Sequence, residues 1–223
     1  MDNPPASSAL ELAVALVDLP LFPLPEVTLF PGALVPLHIF EPRYRALVRD
    51  VLATHRSFAL VQLADPPRTH PEGQPAIARV AGVGTIVDHA ELPSGRFNLL
   101  VRGRARVVLD ELPFRAPYRR ARAELAPDDD VAASRTELDA LRATAASFAS
   151  LVRAKNAAFE LRLPLDVEPS ELAFRCAHQL VVDARERQRI LEATSARERV
   201  RLVTEALALQ HLGLAGPSDR APN

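Results

Sequence analysis

The chain has 223 residues, of which 48% are apolar, so it can bury a sizeable core in one large domain or two small ones. Its 27 basic and 28 acidic residues give a formal charge of −1, which requires neither a nucleic-acid nor a membrane partner. The single cysteine, Cys176, excludes an intramolecular disulfide, and the first residues lack the basic start of a signal peptide. These features predict a cytoplasmic protein with no membrane partner.

The start of the chain is predicted to be disordered and then to enter a sheet. The first eight residues are rich in Pro and Ser, and residues 1–13 are assigned to a disordered N-terminus. Residues 14–22 are predicted to form the first strand. That strand ends at a series of prolines, which exclude a long helix.

The stretch from residue 19 to residue 52 contains the most informative pattern. Residues 34–40 are apolar and rich in strand formers, but Pro36 cannot donate a hydrogen bond to a sheet, so we predict an edge strand or a bulge. Pro42 suits the first turn of a helix. Apolar residues then recur at helical spacing, at Tyr44, Leu47, Val48, Val51 and Leu52.

The next segment is predicted to be rich in strands. Residues 58–63 form a short apolar strand, and the proline-rich residues 64–78 form a loop. Residues 80–92 and 96–109 form a hairpin, and residues 118–125 form the last strand. In the second hairpin strand the odd-numbered apolar residues are predicted to face the core, whereas Arg102, Arg104 and Arg106 are predicted to face water.

A composition break at residues 127–130 separates this β-rich part from a helical part. We predict helices over 134–160, 170–182, 183–192 and 195–211, with capping-box spacing at Ser134 and Ser195. The predicted organisation is a β-rich domain over 14–126, a helical region over 131–211 and a loose tail over 212–223. The predicted fold class is therefore α+β.

Three blocks in the first 44 residues resemble the N-terminal domain of the Lon ATP-dependent proteases. They read LPLFPL at 19–24, LFPG at 29–32 and PLHIFEPRY at 36–44. Segments that also resemble the Lon domain follow at 82–84, 98–103 and 117–121. The resemblance implies a PUA-like β pseudo-barrel followed by a helical region. It also implies a role in recognising substrate proteins.

The catalytic features of full-length Lon are not expected in this chain. The sequence contains no G-x-x-x-x-G-K-[ST] phosphate loop, and its only lysine, Lys155, lies on the polar side of a predicted helix rather than in a buried dyad. Asp65, His70 and Glu72 fall together in the proline-rich loop, but we interpret them as a solvated loop rather than as a metal site. We therefore predict a protein that is not an enzyme and binds no cofactor or metal.

The predicted function is a non-catalytic recognition module that binds unfolded polypeptide segments or a protein partner. The candidate contacts are Phe30, Pro31, His38, Phe40, Glu41, Arg43, Arg102, Arg104 and Arg106. The competing interpretations are that Phe30 and Phe40 belong to the core and that Glu41 and Arg43 brace the corner before the helix. The alternative function is an RNA-binding PUA-like protein that uses the basic face from Arg96 to Arg122. The sequence specifies neither the partner nor the oligomeric state.

Overall fold

The computed structural model describes residues 6–64, 69, 74–164 and 166–215. The chain divides into two compact units, residues 1–127 and residues 128–223. The first unit is built on a sheet, and the described part of the second is helical. The predicted disorder of residues 1–5, most of the predicted loop over 64–78 and the predicted tail from 216 onward lie outside the described residues.

Six strands form one mixed sheet in the first unit. They are β1 (Leu19–Leu24), β2 (Leu34–Ile39), β3 (Ser57–Gln62), β4 (Val80–Glu91), β5 (Phe97–Glu111) and β6 (Arg120–Leu125). Their order is β2-β5-β4-β3-β1-β6, and β6 also pairs with β5. Five strands therefore close on themselves, whereas β2 has β5 as its single neighbour among the described strands. The predicted edge position of the strand containing Pro36 is confirmed.

The N-terminal segment is helical, which corrects the prediction. Helix α1 (Ala6–Val17) occupies residues that were assigned to disorder and to the first strand, and β1 begins only at Leu19. Alanine and leucine are the strongest helix formers and dominate this segment. Leu12, Ala15 and Leu16 lie on one helical face and join the apolar cluster on one side of the sheet.

Two apolar clusters cover the two sides of the sheet. Alternate residues of β3 enter different clusters: Phe58 and Leu60 join one, and Ala59 and Val61 join the other. This strand is buried along its whole length, as the continuous apolar run predicted. The first cluster is covered by helix α2 (Pro42–Leu52), which begins at a proline and buries the predicted apolar face.

The segment at residues 29–30 crosses the sheet against two glycines. A Cβ at Gly82 would lie 1.9 Å from the carbonyl oxygen of Leu29, and a Cβ at Gly103 would lie 2.0 Å from that of Phe30. Any side chain at these positions would collide with backbone, so the close approach requires glycine. The crossing places the Phe30 ring entirely inside the protein.

A β-bulge changes the side-chain pattern of β5. Gly103 and Ala105 pair with consecutive residues of β4, so Arg104 is an extra residue. Before the bulge the predicted alternation holds, and Arg102 is exposed. After it the odd-numbered Val107 and Leu109 remain buried but join the cluster on the other side of the sheet, and Arg106 is buried too, so the prediction that Arg106 faces water is wrong.

Four helices make up the described part of the second unit: α3 (Arg135–Lys155), α4 (Pro169–Leu180), α5 (Ala184–Glu192) and α6 (Ala196–Ala215). Ser134 and Glu137 form the predicted capping box at the start of α3. Helix α3 ends before the predicted residue 160, and Lys155 is exposed at its last turn. Helix α6 continues to Ala215, so the predicted loose tail is wrong for residues 212–215.

Candidate functional site: the outer face of the β2 edge

The free edge strand β2 presents alternate residues to opposite sides. Val35 and Ile39 are buried, whereas Leu34, Pro36 and His38 point outward and are exposed. The alternation follows from the two-residue period of a strand. Among the described residues β2 pairs with β5 on one side only, so the other backbone edge of this strand is unpaired there.

The outer surface of β2 carries an exposed apolar row. We call Leu34, Pro36 and Phe40 the β2 row; Leu34 is 42% exposed and Phe40, just after the strand, is 61% exposed. Leu100 of β5 is half-buried directly opposite Pro36. Val87 of β4 is exposed and precedes the residue of β4 that pairs with Leu100. A group of apolar side chains left in water beside a free strand edge is typical of a binding surface.

His38 fixes the orientation of the Phe40 end of the row. Its Nδ1 donates a hydrogen bond of 2.7 Å to Oδ1 of Asn98, which lies opposite it on β5. Its ring stacks on Phe40 with the ring centroids 6.3 Å apart. The contact holds an exposed phenylalanine against the surface at low cost in side-chain entropy, because the histidine is already anchored.

The corner after β2 is an ion pair. The carboxylate of Glu41 accepts from Nε and Nη2 of Arg43 at 2.9 and 2.8 Å, and both side chains are about half exposed. The Arg43 guanidinium also lies over the ring of Tyr44, 4.6 Å from its centroid. Burial raises the pKa of Tyr44 above its ordinary value. Arg43 is therefore satisfied within its own corner, by Glu41 rather than through the arginines of the sheet.

The three predicted arginines of β5 have three different environments. Arg102 is exposed opposite Leu34 and has no side-chain partner among the described residues. Arg104 is half-buried at the bulge. Arg106 is 6% exposed and donates from Nη2 to the carbonyl oxygen of Pro127 at 3.0 Å. Only Arg102 adjoins the β2 row and remains open to a ligand.

The structure separates the remaining predicted contacts. Pro31 is half-buried at the turn before β2, and Phe30 is fully buried in the core. Phe30 is thus structural, because its backbone crosses the sheet at Gly103 and carries the ring inward. The candidate contacts that the structure brings together on one surface are His38, Phe40 and Arg102.

Sequence reasoning missed Leu34 and Pro36, although a signal was present. Both share the parity of His38 and Phe40, so one outward-facing row could have been inferred from the two-residue period. It also missed Arg45 and Arg49 of α2. Two arginines at i and i+4 on a helix repel each other, so this spacing is unfavourable unless a negatively charged group lies nearby.

Part of the basic segment proposed for RNA is occupied by internal contacts. Arg119 is 6% exposed and makes two hydrogen bonds of 2.6 Å to the carboxylate of Glu111. Arg120 pairs with Asp18 at 2.9 Å and lies over the ring of Tyr118. With Arg106 also buried, three of the eight arginines brace the fold, which reduces the basic surface available to a phosphate backbone.

The predicted metal candidates Asp65, His70 and Glu72 lie outside the described residues. In the part of the chain that the structure describes, no cluster of three or more His, Cys, Asp or Glu side chains is placed to bind a metal ion. Nor does any helix of that part combine the length and apolar character needed to cross a membrane.

A family model for the ATP-dependent protease La (LON) substrate-binding domain matches residues 18–208. This chain belongs to that family. The resemblance noted from the sequence is thereby confirmed, and the Lon substrate-binding match covers both the sheet unit and the helical unit. Its extent places β2, α2 and the β2 row inside the family's own domain.

Lon proteases of several bacteria are relatives of this Lon-family chain. A Lon protease of Roseiflexus castenholzii is 31% identical over 195 residues, and one of Anaeromyxobacter dehalogenans is 29% identical over 196 residues. Each alignment covers 85% of this chain but only 24% and 23% of the relative. The chain thus spans about a quarter of the length of these relatives.

Solved structures of Lon N-terminal domains share the fold. A Lon N-terminal domain protein from Xanthomonas campestris has a TM-score of 0.59 and 22% identity, covering 90% of this chain and 99% of its own. The N-terminal domain of a Mycobacterium avium complex Lon protease has a TM-score of 0.58 and 17% identity, covering 86% and 98%. The predicted α+β, Lon N-terminal-like fold is confirmed.

Proposed function

We propose that this chain is a non-catalytic recognition module that binds extended polypeptide segments along β2. The observation that carries the proposal is the exposed β2 row, Leu34, Pro36 and Phe40, on a strand with one free edge. An extended segment pairs its backbone with the free edge, and its alternate side chains pack on the apolar row. Arg102, opposite Leu34, then attracts an acidic residue of the bound segment.

The family supports substrate recognition as the general role. The matched family is a substrate-binding domain, and the alignments to Lon proteases cover only a fraction of those proteins. Because the sequence contains no phosphate loop, we expect purified protein neither to hydrolyse ATP nor to cleave a protein substrate. ATP turnover that a point substitution in this chain abolishes would contradict the proposal. The cytoplasmic location stays a prediction.

The proposal is tested with Phe40→Ala and a matched control. Phe40 is exposed, so its truncation is expected to weaken binding of a reduced, carboxymethylated model protein about fivefold to tenfold, the effect typical of an aromatic contact residue. The melting temperature should shift by no more than about 2 °C, because the ring contributes little core packing. Affinity is measured by fluorescence anisotropy with the labelled model protein.

Val182→Ala provides the control, because Val182 is 75% exposed in the helical unit. It removes an exposed apolar side chain far along the sequence from β2, and binding should be unchanged. Equal losses in both variants would indicate non-specific adhesion and overturn the β2 site. Binding of a single-stranded RNA that falls steeply with salt, with no binding of the unfolded protein, would instead favour the nucleic-acid alternative.

A further inference from the structure

A cavity of about 170 Å³ lies beside the first turn of α2 in the sheet unit. Its apolar lining comes from segments far apart in the chain. Among the described residues these are Pro23 of β1, Leu63 just after β3, Pro75, and Phe114 and Pro117 of the loop between β5 and β6. A dry apolar cavity of about 150 Å³ is large enough to bind benzene. The cavity is therefore the size of one ring-shaped side chain.

A tyrosine with a fixed ring and an unused hydroxyl also lines this cavity. Tyr44 is 6% exposed, its ring packs on Phe22 with the centroids 4.2 Å apart, and the Arg43 guanidinium lies over the ring. Its hydroxyl makes no hydrogen bond within the described part of the chain and is not sealed from solvent. Tyrosine hydroxyls in buried positions normally have a partner, so this one can serve a group that enters the cavity.

The two arginines of the lining have no charge left for a ligand. Glu41 neutralises Arg43, and Glu111 accepts two hydrogen bonds of 2.6 Å from Arg119. Arg119 also donates from Nη1 to the carbonyl oxygen of Pro75 at 2.7 Å, so it holds the wall of the cavity in place. A charged ligand would lose its hydration without gaining a counter-ion. The cavity therefore suits a neutral ring.

The cavity is separate from the β2 row. None of Leu34, Pro36 and Phe40 belongs to its lining. Tyr44 belongs to the apolar cluster that α2 covers, whereas the row points outward from β2. A ligand of the size of one residue can therefore occupy the cavity without touching the row, and the two surfaces can be tested independently.

We propose that this cavity binds one aromatic side chain of an unfolded segment, with a neighbouring backbone carbonyl oxygen accepting a hydrogen bond from the Tyr44 hydroxyl. The inference rests on the proposed function and specifies its substrate class: neutral segments that expose a phenylalanine. Phenylalanine is among the residues most often buried in folded proteins, so its capture distinguishes an unfolded chain from a folded one. An aromatic anchor in a pocket is also a frequent energetic centre of an interface.

The test uses N-acetyl-phenylalaninamide, a neutral blocked residue that is too short to lie along β2. Its binding to the isotope-labelled chain is followed by amide chemical shifts. A ligand of this size is expected to bind with a Kd of about 1 mM. The largest shifts should occur at Tyr44, Gln74 and Phe114, which line the cavity. N-acetyl-leucinamide should bind about threefold more weakly because it buries less apolar area, and the glutamate analogue should not bind.

Tyr44→Phe removes only the hydroxyl and keeps the ring that packs on Phe22. It is expected to weaken N-acetyl-phenylalaninamide about threefold to tenfold, the effect of one lost hydrogen bond. Toluene has no carbonyl acceptor, so its binding should be unchanged.

Phe114→Ala removes a ring that is 41% exposed and should weaken both ligands about fivefold, with a melting temperature within about 2 °C of that of the unsubstituted chain. Leu125→Ala removes a side chain of β6 that is 59% exposed. It is the control and should change neither affinity.

Two unstructured peptides extend the test to a polypeptide. Both consist of Ser, Gly and Thr, and they differ only in a central Phe or Ala. The peptide with Phe should bind about tenfold more tightly, and Tyr44→Phe should reduce this preference. Equal binding of the two peptides would overturn the assignment of the cavity to unfolded segments.

The remaining outcomes separate this inference from the proposed function. Absence of binding up to about 10 mM, shifts on the β2 row instead of the cavity, or tighter binding of the glutamate analogue would overturn the aromatic site. An equal effect of Tyr44→Phe on N-acetyl-phenylalaninamide and toluene would overturn the role of the hydroxyl. None of these results changes the dependence of polypeptide binding on Phe40. Conversely, loss of that dependence with the cavity shifts retained would overturn the β2 site and support the cavity.

Discussion

The two units of this protein use their arginines differently. In the helical unit, several arginines pair with an acid three or four residues away, as Arg175 does with Glu171 and Arg201 with Glu205. In the sheet unit, Arg102 has no side-chain partner among the described residues and borders an exposed apolar row.

The difference supports the proposal that recognition lies in the sheet unit. A helix brings residues three and four apart together, so a charged sequence can satisfy itself locally. A strand places neighbours on opposite sides, and its partners are set by pairing with distant segments. The sheet unit therefore leaves cations and apolar side chains open at its edge, and the helical unit uses its charges for its own stability.

The contrast between core and surface within the sheet unit gives the largest expected effect. Phe30 is fully buried and Phe40 is 61% exposed, although both lie in similar proline-rich stretches of the sequence. Phe30→Ala should lower the free energy of unfolding by about 3–5 kcal/mol, because it opens a cavity in a packed core. Phe40→Ala should lower it by no more than about 0.5 kcal/mol. Urea denaturation of both variants measures the difference, and similar losses would place Phe40 in the core as well.

The buried arginine of the helical unit gives the second largest effect. Arg199 is fully buried; it bonds to the carboxylate of Asp128, to Oγ of Ser170 at 2.7 Å and to the carbonyl oxygen of Ala193 at 2.9 Å. Arg199→Ala removes all three contacts. It is expected to cost about 2–3 kcal/mol, less than a wholly buried pair would, since Asp128 stays about half exposed to water.

Cys176 reports this loss without interference from the sheet unit. It is buried in α4, and burial raises the pKa of its thiol to about 12, so it reacts with a disulfide reagent only when the helical unit opens. Labelling of the Arg199→Ala variant should be faster than that of the unsubstituted chain. Arg201→Ala, which removes an exposed pair with Glu205, is the control and should change stability by about 0.3–0.5 kcal/mol. Equal labelling rates in the two variants would refute a structural role for Arg199.

The smallest expected effect is a pH dependence in the sheet unit. Burial lowers the pKa of His55 below its ordinary value; Arg120 lowers it further and Asp18 partly opposes this. Nδ1 of His55 accepts a hydrogen bond of 3.1 Å from the Ser57 amide, which requires the unprotonated nitrogen. The unfolded chain binds a proton at higher pH than the folded one. Stability is thus fully present above pH about 6.5 and declines as pH falls from there toward the folded pKa.

His55→Asn tests this dependence because asparagine supplies an acceptor that does not titrate. Denaturation midpoints measured between pH about 5.5 and 7.5, the range in which an ordinary histidine titrates, should fall less steeply with acid in the variant. Carboxylates that titrate at lower pH are shared by both proteins and cancel in the comparison. An unchanged slope would show that another group causes the dependence.

Local patterns predicted much of the fold. Pro36 indicated an edge strand, Pro42 began a helix, and Ser134 with Glu137 capped another, because each of these features acts through the nearest few residues. The resemblance to Lon at residues 19–44 supplied the domain type. The first helix was missed because the disorder signal of the first residues was extended over an alanine- and leucine-rich segment.

The sequence by itself determined the family, the α+β class and most of the periodic elements, since these follow from short-range spacing and from recurring blocks. The tertiary structure alone decided the environment of individual side chains. Phe30 became core because its backbone crosses Gly103, Arg106 turned inward because Arg104 forms a bulge, and Arg45 came to rest on Gly95 without an acceptor. Each depends on contact between segments far apart in the chain, which no local period encodes.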